Sequence, residues 1–261
     1  MKKFCIYGKG GIGKSTTVAN VAAALAAERK KVAVVGCDPK ADSTRCLMGR
    51  RIPSVLHQMY QEPPGEIAFR GFGDILCIES GGPQPGTGCA GRGIVTALEE
   101  IRKRDLFRDC EVVIYDVLGD GVCGGFSMPL REEVADVVYL VTTSDFMSLY
   151  AANNICRGIE KYARTGHIRL AGIIHNGRSS RDVPEYVHTL AQRLGTQVVG
   201  RIPMSTLIAD AELQRKTVIE AFPDSDIAGS FRVLADRILA GGPRCIPAPM
   251  TDEELEQLWG I

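Results

Sequence analysis

Short apolar runs and longer amphipathic segments follow one another along this chain. The short runs, rich in Val, Ile and Leu, predict buried strands at residues 3–7, 32–36, 75–79, 111–116, 137–142, 168–175 and 197–202. The longer segments predict helices at residues 15–28, 93–103, 145–164, 183–194, 209–216 and 226–239. Strands that alternate with helices indicate parallel pairing with right-handed crossovers. The pattern therefore predicts one α/β domain, with a mostly parallel twisted sheet flanked by helices.

The end of the chain departs from this pattern. A Gly-Gly-Pro sequence at 241–243 ends the last long helix, and Pro247 and Pro249 follow it. Thr251 and Glu254 have the spacing of a capping box, which predicts a short helix ending near Trp259. We therefore divide the chain into a domain at 1–240 and a Pro-rich tail at 241–261. The sequence leaves open whether the tail docks on its own core or on a second subunit.

Charge and hydropathy exclude some partners. Thirty-one basic and thirty-one acidic residues cancel, so there is no broad attraction to nucleic acid or to anionic membranes. No apolar run is long enough to span a bilayer, and the run behind Lys2 and Lys3 is too short for a signal peptide. We expect a cytoplasmic protein without nucleic acid or membrane partners, and the 45% hydrophobic content supports a large core.

A glycine-rich segment follows the first predicted strand and opens the first helix. Residues 8–15 read GKGGIGKS and match the phosphate-binding pattern GxxxxGK[ST] in full. Its glycines let backbone N–H groups turn toward phosphate oxygens. We expect Lys14 to reach the β- and γ-phosphates and Ser15 to ligate Mg²⁺. The sequence therefore predicts an ATP-type site in a P-loop NTPase.

Acidic residues follow two further strands. Asp38 and Asp42 lie in a polar loop at 37–44, and Asp116 ends an apolar strand where a Walker B carboxylate is usually found. We expect Asp38 to orient the attacking water and Asp42 to lie near Mg²⁺ through water. Ligands in such sheets bind beyond the carboxyl ends of the strands, where all three lie. A simple role in capping or turn formation stays open, chiefly for Asp42.

The chain contains nine cysteines, an odd number, and no C-x-x-C pair. Most lie in apolar or helical patterns and are expected to be packed as small hydrophobes: Cys5, Cys37, Cys46, Cys77, Cys110 and Cys156. Cys245 is expected to be exposed in the tail. Cys89 and Cys123 differ, because both lie in glycine-rich loops. An iron–sulfur cluster usually takes four thiolates, so a two-fold dimer would supply the other two. The spacing alone leaves a bare thiol pair equally open.

Lys9 and the cysteine loops carry a family resemblance. A lysine early in the phosphate loop is typical of the deviant Walker A group, which includes ParA, MinD and the nitrogenase iron protein. Five segments resemble the nitrogenase iron protein family: 37–44, 79–93, 116–129, 150–155 and 216–220. The similarity covers about residues 3–239. ParA, MinD and the arsenite-pump ATPases lack both cysteine-bearing segments.

The resemblance implies a function for each matching residue. Family members are homodimers with one [4Fe–4S] cluster held by two cysteines per subunit, here Cys89 and Cys123. They accept electrons from a low-potential donor, a ferredoxin or flavodoxin, and pass them singly to a nitrogenase-like catalytic protein as MgATP is hydrolysed. The implied catalytic residues are Lys9, Asp38 and Asp120, with Lys9 acting across the dimer. The implied nucleotide contacts are Lys9, Gly10, Gly11, Ile12, Gly13, Lys14, Ser15, Thr16, Asp42, Asp116 and Asn176. Arg92 matches the exposed arginine that docks the partner and is ADP-ribosylated in some members.

Departures and alternatives remain. Residues 50–73 and the tail look unlike typical members, which favours a nitrogenase-like paralogue over a nitrogenase component. An ATPase for iron–sulfur or metal-cofactor assembly is the main alternative, although such proteins usually carry C-x-x-C. A positioning ATPase of the ParA or MinD type would need a basic patch or a membrane helix. The loop at 116–123 carries an acidic residue at one end and Cys123 at the other. Nucleotide contacts should therefore move the cluster environment.

Overall fold

An eight-stranded sheet forms the centre of the chain. The computed structural model describes residues 1–82, 90–119, 134–164 and 166–259. Its strands are β1 (Lys2–Tyr7), β2 (Val32–Cys37), β3 (Phe69–Arg70), β4 (Leu76–Glu79), β5 (Val112–Val117), β6 (Val137–Thr142), β7 (Arg169–Asn176) and β8 (Val198–Ile202). The strand order is β3-β4-β2-β5-β1-β6-β7-β8, and every pair is parallel except β3 with β4. This confirms the predicted α/β class and mostly parallel sheet.

Helices flank the sheet. Those described are α1 (Lys14–Ala27), α2 (Arg45–Met48), α3 (Val55–Met59), α4 (Ala90–Lys103), α5 (Phe146–Ala163), α6 (Pro184–Arg193), α7 (Thr206–Leu213), α8 (Val218–Ala221), α9 (Asp226–Ala240) and α10 (Asp252–Trp259). The sequence pattern predicts nothing for α2, α3, β3 and α8, which are too short to show a period. The prediction for α7 begins too late, because Ser205 caps the helix by accepting a hydrogen bond from the N–H of Leu207. Within the described ranges, no helix combines the length and apolar character needed to cross a membrane.

Alternation along the strands builds one hydrophobic core on each face of the sheet. In β5, Val112 and Ile114 belong to the core that α1 and α9 cover. Val113 and Tyr115 belong to the core under α4, α5 and α6. Because side chains in a strand point to alternate faces, Asp116 shares the α1 face with Ile114. This alternation places a carboxyl group beside the phosphate-loop helix.

The cysteine predictions are confirmed where the strand and helix patterns were strongest. Cys5, Cys37, Cys77 and Cys156 are buried, whereas Cys46 and Cys110 are half-buried. The prediction that Cys245 is exposed is wrong. It is half-buried, since its backbone exchanges two 2.9 Å hydrogen bonds with Leu170 of β7.

The C-terminal tail lies on its own core. The amide of Asn153 in α5 donates to the Met250 carbonyl and accepts from the Met250 N–H, both at 2.9 Å. Arg157, one turn later, pairs with Asp252 at 2.7 Å. Both helix side chains bind the tail, so α5 fixes the start of α10.

The last helix begins at the predicted capping box. The Thr251 hydroxyl accepts from the Glu254 N–H at 3.2 Å, and Glu254 accepts from the Thr251 N–H at 2.8 Å. Leu255 is fully buried. Trp259 stacks on Tyr186 of α6 with ring centroids 4.1 Å apart. The helix thus packs across α5 and α6.

Candidate functional site

The phosphate loop joins β1 to α1, and two of its glycines, Gly8 and Gly13, leave no room for a side chain. A Cβ on Gly8, whose φ is 154°, would lie 2.3 Å from the Val141 carbonyl oxygen. Gly13 caps α1 with a φ of 96°. The Lys14 side chain is buried and its ammonium donates to the Lys9 carbonyl at 3.2 Å. The loop therefore curls around a lysine at the start of a helix, where an anion is favoured.

A cavity of about 590 Å³ opens beside this loop. It is lined by most of the residues predicted to bind or hydrolyse nucleotide, namely Gly10, Gly11, Gly13, Lys14, Ser15, Thr16, Asp38, Asp42 and Asn176. Its other wall includes Pro203, Met204 and Ile208, which offer an apolar surface for a flat ring. The cavity therefore combines a phosphate cradle with an apolar wall, as a nucleotide requires.

The acidic loop after β2 turns sharply. The Asp38 carboxylate accepts from the Lys40 N–H at 2.8 Å, and the Asp38 carbonyl accepts from the Ala41 N–H at 3.0 Å. Ala41 has a φ of 50°, in the left-handed region. This turn lets both Asp38 and Asp42 border the same cavity. Two carboxylates so placed suit water and Mg²⁺ beside a triphosphate.

Asp116 lies under the phosphate loop and is 3% exposed. Burial raises the pKa of Asp116, while a hydrogen bond from Ser15 and the charge of Lys14 oppose that rise. Its Oδ1 has no hydrogen-bond partner among the described residues. A buried carboxylate oxygen left open beside Ser15 fits a hydrated Mg²⁺, whose preferred ligands are oxygens.

Two side chains at the end of β7 contact the phosphate loop, one from the last strand residue and one from the loop that follows. Asn176 was predicted to lie on the adenine side, and it does border the cavity. Its amide nitrogen, however, donates to the Ile12 carbonyl at 2.7 Å. The Arg178 guanidinium donates to the Gly11 carbonyl. Sequence reasoning missed Arg178, because its contact depends on where β7 ends.

Lys9 does not line this cavity. It borders an adjoining cleft of about 330 Å³, together with Asp145 and Ser148 at the start of α5. Burial acts to raise the pKa of Asp145, but hydrogen bonds from Thr143 and Ser148 and the charge of Lys9 hold it below its usual range. Lys9 therefore lies beside Asp145 and outside the lining of the nucleotide cavity of its own chain.

The residues predicted for the cluster are only partly described. Cys89, Asp120 and Cys123 lie outside the described residues. Arg92 is exposed in the first turn of α4, the helix that follows Cys89. Gly119 lies against the phosphate loop, since a Cβ added to it would come within 1.9 Å of the Gly8 carbonyl oxygen. The chain that leaves Asp116 therefore touches the loop before it reaches Cys123.

Glu79 is a second buried acid that sequence reasoning missed as a site residue. It ends β4 and is fully buried. Its Oε1 accepts from the Thr44 N–H at 2.6 Å and from the Thr44 hydroxyl at 2.7 Å. The sequence signal that could have identified Glu79 is an acidic residue at the end of an apolar strand. Glu79 therefore ties β4 to the end of the acidic loop.

The fold and phosphate loop place this chain in the P-loop nucleotide-binding class. The MinD cell-division ATPase of Pyrococcus furiosus superposes with a TM-score of 0.70 at 20% identity, over 92% of this chain and 98% of that one. A ParA family ATPase from Chlorobium tepidum gives a TM-score of 0.68 at 20% identity, over 90% and 97% of the two chains. At such identities the likeness concerns the fold alone.

Sequence comparison narrows the class to a family. The family model of 4Fe-4S iron sulfur cluster binding proteins, NifH/frxC family, matches residues 2–260. A nitrogenase iron protein of Methanococcus voltae is 52% identical, over 99% of this chain and 95% of that protein. Nitrogenase iron protein 2 of Methanothermobacter thermautotrophicus is 51% identical, over 99% and 97%. This chain belongs to the NifH/frxC family, which confirms the resemblance seen in the sequence.

Proposed function

We propose that this protein is an ATP-dependent iron–sulfur reductase. Two copies of the chain form a homodimer that holds one [4Fe–4S] cluster through Cys89 and Cys123 of each. A ferredoxin or flavodoxin reduces the protein, and MgATP hydrolysis drives single electrons to a nitrogenase or nitrogenase-like catalytic partner. When bound, the cluster supplies the one-electron chemistry. Residues 1–240 carry these activities in the cytoplasm, and the described part of the tail, residues 241–259, braces α5 and α6.

One observation carries the proposal. The cavity contains a full phosphate loop and two acidic side chains. The family to which the chain belongs is described as 4Fe-4S iron sulfur cluster binding proteins. Relatives named nitrogenase iron protein match nearly the whole chain. A nucleotide site and a cluster in one chain support energy-coupled electron transfer better than either function alone.

The residues of the cavity have distinct tasks in hydrolysis. Lys14 and the loop N–H groups bind the β- and γ-phosphates, and Ser15 holds Mg²⁺. Asp38 orients the attacking water, while Asp42 and Asp116 hold water on the metal ion. Preorganised charges of this kind act without rearrangement at the moment of reaction.

Lys9 acts on the nucleotide of the partner subunit. It borders the cleft at the start of α5 and not the cavity of its own chain, which supports a role in trans. There it would add positive charge opposite the leaving phosphate, as an arginine finger does. Hydrolysis would then require the closed dimer.

Nucleotide state reaches the cysteines through the segment from Asp116 to Cys123. Asp116 senses the metal and γ-phosphate, and Asp120 follows on the same segment. Gly119 contacts the Gly8 carbonyl, so a movement of the phosphate loop is transmitted to this segment. Arg92, exposed near the start of α4, docks the catalytic partner.

Anaerobic purification with iron and sulfide analysis and EPR tests this function. We expect about four iron atoms per dimer, lost in Cys89→Ala and in Cys123→Ala. Cys110→Ala is the matched control, because that half-buried thiol precedes β5 at the opposite end of the sheet. A purified protein that never holds iron would overturn the proposal. Intact transfer of the cluster to an apo-acceptor would instead favour an assembly ATPase.

A further inference from the structure

Three adjacent strands bring two carboxyl groups to the same level of the sheet. Gly36 of β2 is in register with Glu79 of β4 on one side and with Asp116 of β5 on the other. Side chains at one level of neighbouring strands share a face. Because glycine has no side chain, the space above Gly36 is left to the two acids.

Glu79 fills that space. A Cβ on Gly36 would lie 2.0 Å from Glu79 Oε2 and 2.8 Å from the Cβ of Ser43. Oε1 accepts both hydrogen bonds from Thr44, whereas Oε2 has no partner among the described residues. The carboxyl group is fully buried. A buried oxygen without a partner carries a large desolvation penalty when the group is an ionised carboxylate. The penalty is smaller when the group is a neutral acid.

The charges around Glu79 point the same way. Asp116 and Asp42 both disfavour its ionisation, and the thiols of Cys37 and Cys77 lie near it. Burial, with these acids and against the hydrogen bonds from Thr44, raises the pKa of Glu79 to about 8. When two carboxyl groups share a site, one usually keeps its proton.

The chain after Glu79 makes two more contacts, one with β2 and one with the acidic loop. The Ser80 N–H donates to the Gly36 carbonyl at 2.8 Å. A Cβ on Gly82 would lie 2.6 Å from the Cβ of Pro39. Glu79 is thus the side-chain contact within a seam that joins the end of β4 to the loop of Asp38 and Asp42.

We propose that Glu79 is a positioning residue of the nucleotide site, acting as a neutral acid. Through Thr44 it fixes the end of the loop that carries Asp38 and Asp42, and by staying neutral it adds no second charge beside Asp116. This inference rests on the nucleotide site of the proposed function. It adds a residue that touches neither nucleotide nor metal but sets the loop whose Asp38 orients the water that attacks the γ-phosphate.

The Gln and Ala variants of Glu79 separate anchoring from charge. Glu79→Gln keeps a neutral acceptor for Thr44, so its ratio of MgADP to MgATP dissociation constants should stay within about twofold of the parent protein. Glu79→Ala leaves the Thr44 donors unpaired, and the ratio should change about tenfold. Ser80→Ala is the matched control, since this buried neighbour bonds to Gly36 through its backbone and its hydroxyl makes only a 4.0 Å contact with the Cys37 sulfur. It should behave like the parent protein.

Hydrogen exchange at residues 38–44 reports on this loop directly, and a change in global stability alone would not alter how MgATP affects it. MgATP should slow exchange there in the parent and in Glu79→Gln, but not in Glu79→Ala. If Glu79→Ala fails to fold, Thr44→Val removes one donor from the other side and should lose part of the protection. Equal protection from exchange by MgATP in every variant would overturn the anchoring role of Glu79. If Glu79→Gln were as impaired as Glu79→Ala in exchange and in the ratio of dissociation constants, the proposal that Glu79 acts as a neutral acid would be overturned. Iron analysis tests the proposed function separately, because a chain without iron that binds MgATP leaves this comparison intact.

Discussion

Replacing Gly119 by Ala tests whether the segment that leaves Asp116 is mechanically joined to the phosphate loop. The new Cβ would lie 1.9 Å from the Gly8 oxygen, 2.5 Å from its carbonyl carbon and 3.1 Å from its nitrogen. All three are backbone atoms, so no change of rotamer can relieve the contact. Cβ atoms essentially never approach closer than 3.0 Å, so the two segments must separate by about 1 Å.

That displacement sets the size of two effects. Overpacking of this kind costs about 1–3 kcal/mol of unfolding free energy. A shift of about 1 Å in a catalytic group can lower a rate about 100-fold. We therefore expect Gly119→Ala to lose about 1–3 kcal/mol of stability and to hydrolyse MgATP about 100-fold more slowly.

Urea unfolding of the nucleotide-free protein and MgATP turnover with the catalytic partner measure both effects. Gly158→Ala is the matched control. Gly158 lies inside α5, and a Cβ there meets nothing within 4 Å. Alanine in a helix interior is favoured over glycine by about 0.5–1 kcal/mol, so this variant should be slightly more stable and equally active. A Gly119→Ala protein with parental stability and turnover would refute the mechanical link.

Three further predictions concern other parts of the chain. Lys9→Gln should keep a dissociation constant for MgATP within about twofold of the parent value, because Lys9 does not line the nucleotide cavity. Its MgATP turnover with the catalytic partner should nevertheless collapse, and undiminished turnover would remove the role of Lys9 in trans. Asn153→Ala should lower the urea-unfolding free energy by about 1–3 kcal/mol, since it leaves the Met250 N–H unpaired while the Met250 carbonyl keeps its bond from Arg157. The less buried Asn154→Ala should change it little, and equal stability of the two variants would contradict docking of the tail. The folded chain keeps a proton on Glu79 up to about pH 8, and the unfolded chain releases it near 4.5, so the contribution of Glu79 to stability should fall as pH rises between these values. Glu79→Gln should flatten that decline in urea titrations, and identical slopes would contradict the neutral acid.

The phosphate loop and its acidic neighbours could be predicted because their signals are local. GKGGIGKS is one continuous segment, and Asp38 and Asp116 each close an apolar run. The alternation of strands with helices also predicts a parallel sheet, and the carboxyl ends of its strands bring such acids to one edge. The strands and long helices followed from the same periodicity, and only their ends shifted by a few residues.

The seam around Gly36 could not be predicted in this way. It depends on β4, β2 and β5 being neighbours, an order that does not follow the chain. No periodicity reveals which glycine faces which acid across strands that are far apart in sequence. The docking of the tail on Asn153 is a similar case, because a buried amide in a helix does not indicate its partner. Long-range register, and not local pattern, decided both features.

Trp259 gives this protein an optical reporter of its own. It is the single tryptophan of the chain, and its ring stacks on Tyr186 and lies 5.8 Å from the ring of Phe146. Phe146 begins α5, directly after Asp145 of the Lys9 cleft. Selective excitation of tryptophan should therefore follow the start of this helix without a label. A change of emission on adding MgATP would record, in real time, when the lysine cleft rearranges.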